Sequence, residues 1–311
     1  MKTWMLLVSF IISVLFLSPS SLAITKNGFD LSNSLIPVQE ILAGGPPKDG
    51  IPSIDHPRFI RARQVDFLSK QSRILGVVRN SIVKAYPVAI LNWHEIVNDF
   101  FGKEALVISY CPLCGTGMVF SARRGTKEVT FGVSGLLYNS DVLLYDRETE
   151  SLWSQIESKA IAGPLRGEKL DLIASENTTW ADWLRRYPNT LVLSTKTGFR
   201  RDYTRNPYAG YENSKKVWFP ISNVDRRYHP KERILGIEVN GKFKAFPFVE
   251  LHQGPGSFQE TFNGKRIKVI FNKTEESGQI YDSQGRLYPL VQAYWFAWSA
   301  FHPATEVYQA R

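Results

Sequence analysis

The chain has 311 residues, of which 43% are hydrophobic and 13% aromatic, with a formal net charge of +9. This composition excludes a disordered or low-complexity chain and leaves room for two modest domains or one large β-rich one. The basic residues are scattered, with local groups only at Arg123, Arg124 and Lys127 and at Arg200, Arg201 and Arg205. The surplus therefore reads as solvated surface, and no nucleic-acid partner is expected.

The N-terminus has the order of a secretory signal peptide. Lys2 is followed by an apolar run from Trp4 to Leu17, then by Ser18 to Ser21 and a small-residue ending at Ala23. The run is shorter than the roughly 20 apolar residues a spanning helix needs. Residues 1–23 are thus expected to be a cleaved signal, with a retained anchor as the second reading. The mature chain is then exported, periplasmic or secreted, with no stable membrane span. Residues 24–70 hold a Gly- and Pro-rich head expected to wrap the surface.

Two later stretches match at one constant offset. RILGVVRNSIVKAYPVAIL starts at Arg73 and RILGIEVNGKFKAFPFVEL at Arg233. The agreement predicts an internal duplication of a hairpin–helix–strand unit. Each copy reads as strand, turn, strand, and Asn240-Gly241 is a strong hairpin signal. The first unit, with a central β region, is expected over 71–200. A long loop, the second unit and a C-terminal aromatic segment are expected over 201–311. In the first copy a helix is predicted from Asn92 to Phe100, with His94 and Asn98 on one face and Glu95 and Asp99 on another. A strand over Ala105–Tyr110 then leads into Cys111, whereas the matching strand Ile267–Phe271 leads into Asn272-Lys273-Thr274-Glu275.

Further strands are predicted at Glu128–Val133, Leu136–Asp146, Leu152–Gln155, Lys159–Ala162 and Leu191–Ser194. A helix carrying Trp180, Trp183 and Leu184 is capped by Asn177 or Thr178 and stopped by Tyr187-Pro188. Asp202–Pro220 reads as a long exposed loop, and Ala293–Phe301 as an aromatic run with helical potential. The fold class is α+β, mainly antiparallel β with a few helices.

Cys111 and Cys114 are the only cysteines. A disulfide between them closes a tiny loop and stabilises little, so redox chemistry or metal binding is the better use of the spacing. A thioredoxin-type pair opens a helix, but Gly115, Thr116 and Gly117 followed by Met118-Val119-Phe120 do not begin one. Cys-Pro-Leu-Cys-Gly instead has the form of a metal knuckle that supplies two ligands. Others must come from elsewhere, with His94 first and His302 second. Two thiolates and an imidazole suit copper(I) first and zinc second, with Met118 as an extra soft donor or a core residue. Neither GxSxG nor HExxH occurs. Asp141, Asp146, Glu148 and Glu150 read as a solvated surface on alternating strand faces.

NWHEIVND, YCPLCGTG, LLYDRETESLWSQ, TTWADWLRRYP, RRDY with NPYAGY, and WFAWSAFHP together resemble the bacterial and archaeal family catalogued as domain of unknown function 3179. The likeness spans nearly the whole mature chain. It implies that His94, Glu95, Cys111, Cys114, Trp153, Gln155, Arg201, Asp202 and His302 lie in family-typical words, and it carries no activity with it. Three functions stay open: metal binding or handling; thiol–disulfide exchange with Cys111 attacking; and a non-catalytic binding module with a local disulfide, whose Trp- and Tyr-rich loops meet a glycan or a protein.

Overall fold

Two hairpins organise the chain, and turn chemistry sets both. The computed structural model describes residues 24–310, so the expected signal segment lies outside the described residues. Strand Arg73–Arg79 pairs with Ile82–Pro87, and Arg233–Val239 with Lys242–Pro247. Their turns, Asn80-Ser81 and Asn240-Gly241, hold both central residues at positive φ (51° and 60°; 50° and 75°). That twist matches the flanking strands of a two-residue hairpin. Each hairpin ends in a proline that leads into a short helix, α1 (Val88–His94) after Pro87 and its counterpart Phe248–Gln253 after Pro247.

The outer faces of the hairpins are built alike. Glu176–Thr179 pairs with Arg73–Arg79 and feeds α2 (Trp180–Arg186). Phe248–Gln253 forms α3, and Val291–Tyr294 pairs with Arg233–Val239 and feeds α4 (Trp295–Phe301). Gly76 lies under the Trp183 ring and Gly236 under Trp298, where an added Cβ would come within 2.3 and 2.4 Å. Each indole donates to a threonine at 3.0 Å, Trp183 to Thr190 and Trp298 to Thr305. A parallel strand then closes each set, Leu191–Leu193 on Ile82–Pro87 and Glu306–Val307 on Lys242–Pro247.

The halves differ beyond the helices. After α1, strands Ile96–Phe101, Glu104–Cys111 and Thr116–Ser121 run as an antiparallel meander. This meander joins the second hairpin's sheet through Gln292 and Gly117, giving an eight-stranded sheet. After α3, strands Ser257–Phe262, Lys265–Asn272 and Ser277–Asp282 form a separate three-stranded sheet. The cysteine meander is therefore the seam between the two hairpin units.

A further sheet packs on that seam. Phe131–Tyr138, Asp141–Asp146, Leu152–Ser154 and Lys159–Ala162 are antiparallel in sequence order, with Ile41–Ala43 on the outer edge. Asn98 ties it to the meander by exchanging two 2.9 Å hydrogen bonds with the Phe131 backbone. Val107, Met118, Phe131, Leu144 and Trp153 share one buried core with both cysteines. The class is α+β, mainly antiparallel, with four helices among the described residues. None is long and apolar enough to cross a membrane.

Several expected elements are corrected. The Asn92–Phe100 helix is absent: α1 ends at His94, and Ile96–Phe101 is a strand. Glu95 carries the reversal at φ 57°, ψ −31°, and its carbonyl accepts the Tyr110 N–H at 2.7 Å. The strand is fixed by tertiary contacts, chiefly Asp99 on buried Lys84 at 2.8 Å, which override helical spacing. Leu136–Asp146 is two strands joined at Asn139-Ser140, and Glu128–Val133 breaks after Glu128. The 24–70 head also supplies sheet strands, Ile41–Ala43 and Phe59–Arg61. The 202–220 stretch is largely exposed but buries Tyr211. Ala293–Phe301 divides into a strand end and α4.

Candidate metal centre

The cysteines sit where the meander turns. Cys111 pairs with Thr116 across the turn, and the Cys114 N–H donates to the Cys111 carbonyl at 3.2 Å. Gly115 has φ 60°, and a Cβ there would approach the Tyr294 ring to 2.8 Å. Glycine is thus required both by the left-handed backbone and by the ring. The Tyr294 N–H donates to the Cys114 carbonyl at 2.8 Å, which anchors the turn to the second half. Both cysteines are unbonded and buried, 1% and 0% exposed.

A second turn closes over them. Asn139 and Ser140 have φ of 51° and 64°, the same hairpin turn as Asn80-Ser81. It brings the Ser140 carbonyl to 3.4 Å from the Cys114 sulfur and places Asp141 beside both thiols. One ligand-capable atom from each of Cys111, Cys114 and Asp141 lies within 4.8 Å of the others. The Asp141 Oδ2 accepts the Ile156 N–H at 3.1 Å. Its Oδ1 is buried without a hydrogen-bond partner among the described residues. An orphaned buried carboxylate oxygen is costly unless something charged completes it.

The electrostatics agree. Burial raises the Asp141 carboxyl to about 7, against the opposing pull of the Ile156 N–H and the two thiols. Burial and then the Asp141 charge raise Glu95 to about 8. Burial also pushes the Cys111 thiol up, and Cys114 well up, with the neighbouring thiol and Asp141 adding to the latter. Three acids thus share one desolvated volume, and Glu95 is near enough to feel the Asp141 charge. The nearby cation is Lys231, which burial lowers to about 8 while Cys114 holds it up. Left to themselves the thiols and Glu95 stay largely protonated at neutral pH and Asp141 titrates there, whereas a divalent cation among them would favour their ionised forms.

The sequence-predicted residues divide. Cys111 and Cys114 form the site. His94 does not join the ligand cluster: its Nδ1 meets the Pro52 carbonyl and its Nε2 the Tyr203 hydroxyl, both at 2.7 Å. Both ring nitrogens are already used in the core. His302 is also outside it, stacked on Phe243 with ring centroids 3.8 Å apart and pushed to about 4 by burial. Glu95 flanks the site through its charge. Gln155 braces the meander, its Nε2 donating to the Ser109 hydroxyl at 2.8 Å. Trp153 is a core residue whose indole donates to Asp146 at 2.9 Å. Arg201 lies over the Trp93 ring, and Asp202 accepts from Thr204 in an exposed turn. Met118 packs in the core. Asp141 and Asp146 are buried, contrary to the solvated surface expected of them. The signal for Asp141 was available: Asn139-Ser140 repeats the dipeptide already legible as a turn at Asn80-Ser81.

Two thiols and a carboxylate form a donor set that zinc takes readily. Copper(I) prefers softer partners than a carboxylate. Fold and site together define a β-rich α+β protein with a buried two-sulfur, one-oxygen candidate metal centre at the seam of its two hairpin units. The chain belongs to the family described as Protein of unknown function (DUF3179), whose model matches residues 48–305. No curated protein and no solved structure matches it.

Proposed function

We propose that the chain is an exported metal-binding protein that holds its ion on Cys111, Cys114 and Asp141, with zinc ahead of copper(I). The observation that carries this reading is the partnerless Asp141 Oδ1 buried against two thiols. Three protein ligands leave one position open, the pattern of zinc sites that do chemistry and not of closed structural ones. Glu95, buried beside Asp141 and Cys111, is the group suited to hold a proton at that position. Its backbone supports a functional role, because φ 57° at a non-glycine residue costs about 1–3 kcal/mol and such strain concentrates at working sites.

Thiol–disulfide exchange is the weaker reading. It wants an exposed thiol with a lowered pKa at a helix start, whereas both thiols here are buried, raised and followed by a strand. Export rests on the N-terminal sequence pattern. The matched registers, the glycine–indole contacts and the two indole–threonine bonds support an origin of the two hairpin units by internal duplication.

Metal content per chain tests the reading, measured on the mature protein purified under reducing conditions. Near-stoichiometric zinc is expected in the parent and in His94→Ala. It should be lost in Cys111→Ser/Cys114→Ser and fall sharply in Asp141→Asn. A parent that stays metal-free after incubation with Zn(II) and Cu(I) would sink the proposal.

A further inference from the structure

A cleft of ≈ 820 Å³ opens beside the cysteine turn, between the two hairpin units. Pro112 and Gly115 form part of its wall, together with Tyr110, Tyr208, Tyr211 and Tyr294. Its volume is that of a small-molecule site.

Three cations reach this cleft, each held differently. Lys231 is 5% exposed. It donates to the carbonyls of Ser214 (3.3 Å) and Lys216 (2.9 Å), and sits 3.9 Å from the Tyr211 ring centroid. No carboxylate pairs with it among the described residues, and one of its three N–H donors is left over. Arg73 spends its donors on Asn177 and on the backbone carbonyls of Glu275 and Glu276. Its positive charge therefore has no carboxylate partner. Arg233 has the reverse arrangement: its Nη2 pairs with Glu276, while its Nε and Nη1 make no hydrogen bond among the described residues. Of the acids of the cleft, Glu276 is paired with Arg233. Glu275 accepts the Thr179 hydroxyl and Glu232 the Val249 N–H, so both keep their charge but are turned to those donors, and Glu212 is exposed at the rim.

We propose that this cleft binds a small anionic ligand, its negative group held by Lys231 and the outer donors of Arg233 in the field of Arg73, and its polar body laid against the tyrosines. A desolvated ammonium and an under-used guanidinium recognise a carboxylate or a phosphate. The tyrosine rings, with Asn92, Asn177 and Gln292, suit a polar ring such as a sugar. The cleft borders the proposed metal centre, since Lys231 feels the Cys114 charge, but none of its three cations is a proposed metal ligand.

Calorimetric titration of the mature protein with glucuronate, glucose and inorganic phosphate tests this. Glucuronate or phosphate is expected to bind, and glucose, the same ring without the charge, at least tenfold more weakly. Lys231→Gln and Arg233→Gln should each weaken the anion about tenfold or more, with unchanged circular dichroism confirming that they fold. Raising salt should weaken binding in the parent. In Cys111→Ser/Cys114→Ser, anion binding should persist while metal is lost, which separates the two proposals. Binding of neither anion, equal binding of glucose, or full affinity in both cation variants would overturn the assignment.

Discussion

Asp141→Asn should stabilise the metal-free protein at alkaline pH while it removes metal. The folded protein raises the Asp141 carboxyl from 3.8 to about 7 by burial. Below about pH 4 both folded and unfolded chains are protonated there, so the group contributes nothing to pH dependence. Between that value and about 7 the unfolded chain ionises and the folded one does not. The folded state then binds more protons, and stability falls as pH rises. Above about 7 the loss is complete. The interval corresponds to roughly 4 kcal/mol, a ceiling because Glu95 is coupled to the same charge and relaxation lessens the cost. Asparagine cannot ionise and escapes this loss. Urea unfolding of metal-free parent and variant at pH 5 and pH 8.5 measures it. The parent should lose stability between the two pH values, and the variant should lose measurably less. Equal pH dependence in both proteins would refute the argument that Asp141 is an unpaired buried acid awaiting a cation.

Other outcomes follow from the same geometry. Lys84→Met should cost about 3–5 kcal/mol in urea unfolding, because Asp99 keeps only the Tyr86 hydroxyl and a backbone N–H in a buried setting. Gly76→Ala and Gly236→Ala should each destabilise by about 1–3 kcal/mol by forcing the Trp183 or Trp298 indole away from the strand it covers. A negligible effect at either glycine would show that the indole moves freely. His94→Ala should lower stability by about 1–3 kcal/mol through its two lost hydrogen bonds and leave metal content intact. Gly115→Ala should lower metal affinity by distorting the turn between the thiols, read by competition with a chelator.

Local signals in the sequence carried the hairpins well. The positive-φ pair Asn240-Gly241, the proline ends and the tryptophan helix before Tyr187 all depend on neighbouring residues, and all are found. The helix N-cap shifted only to Thr179, whose side chain accepts the Asp182 N–H. The segment around His94 was not legible because HEIVNDFF satisfies two periods at once. Ile96, Val97 and Phe100 suit a helix face, yet the same run alternates acceptably as a strand. The choice is made by distant groups: Lys84 on Asp99, Phe131 on Asn98 and Tyr110 on the Glu95 carbonyl. The metal candidate was half legible. The thiols announce themselves by spacing, but Asp141 reaches them from a hairpin 27 residues beyond Cys114, and only the tertiary fold brings them together. Lys231 and the cleft tyrosines were hidden for the same reason, since Tyr110 and Tyr294 come from two distant strands and Tyr208, Tyr211 and Lys231 from the long connection between them.

X-ray absorption at the zinc edge of the zinc-loaded protein tests the central claim most directly. Two sulfur scatterers at about 2.3 Å with the remaining shell made of oxygen near 2.0–2.2 Å is the predicted result. A shell containing a histidine ring, or one without sulfur, would contradict the assignment of the ion to Cys111, Cys114 and Asp141.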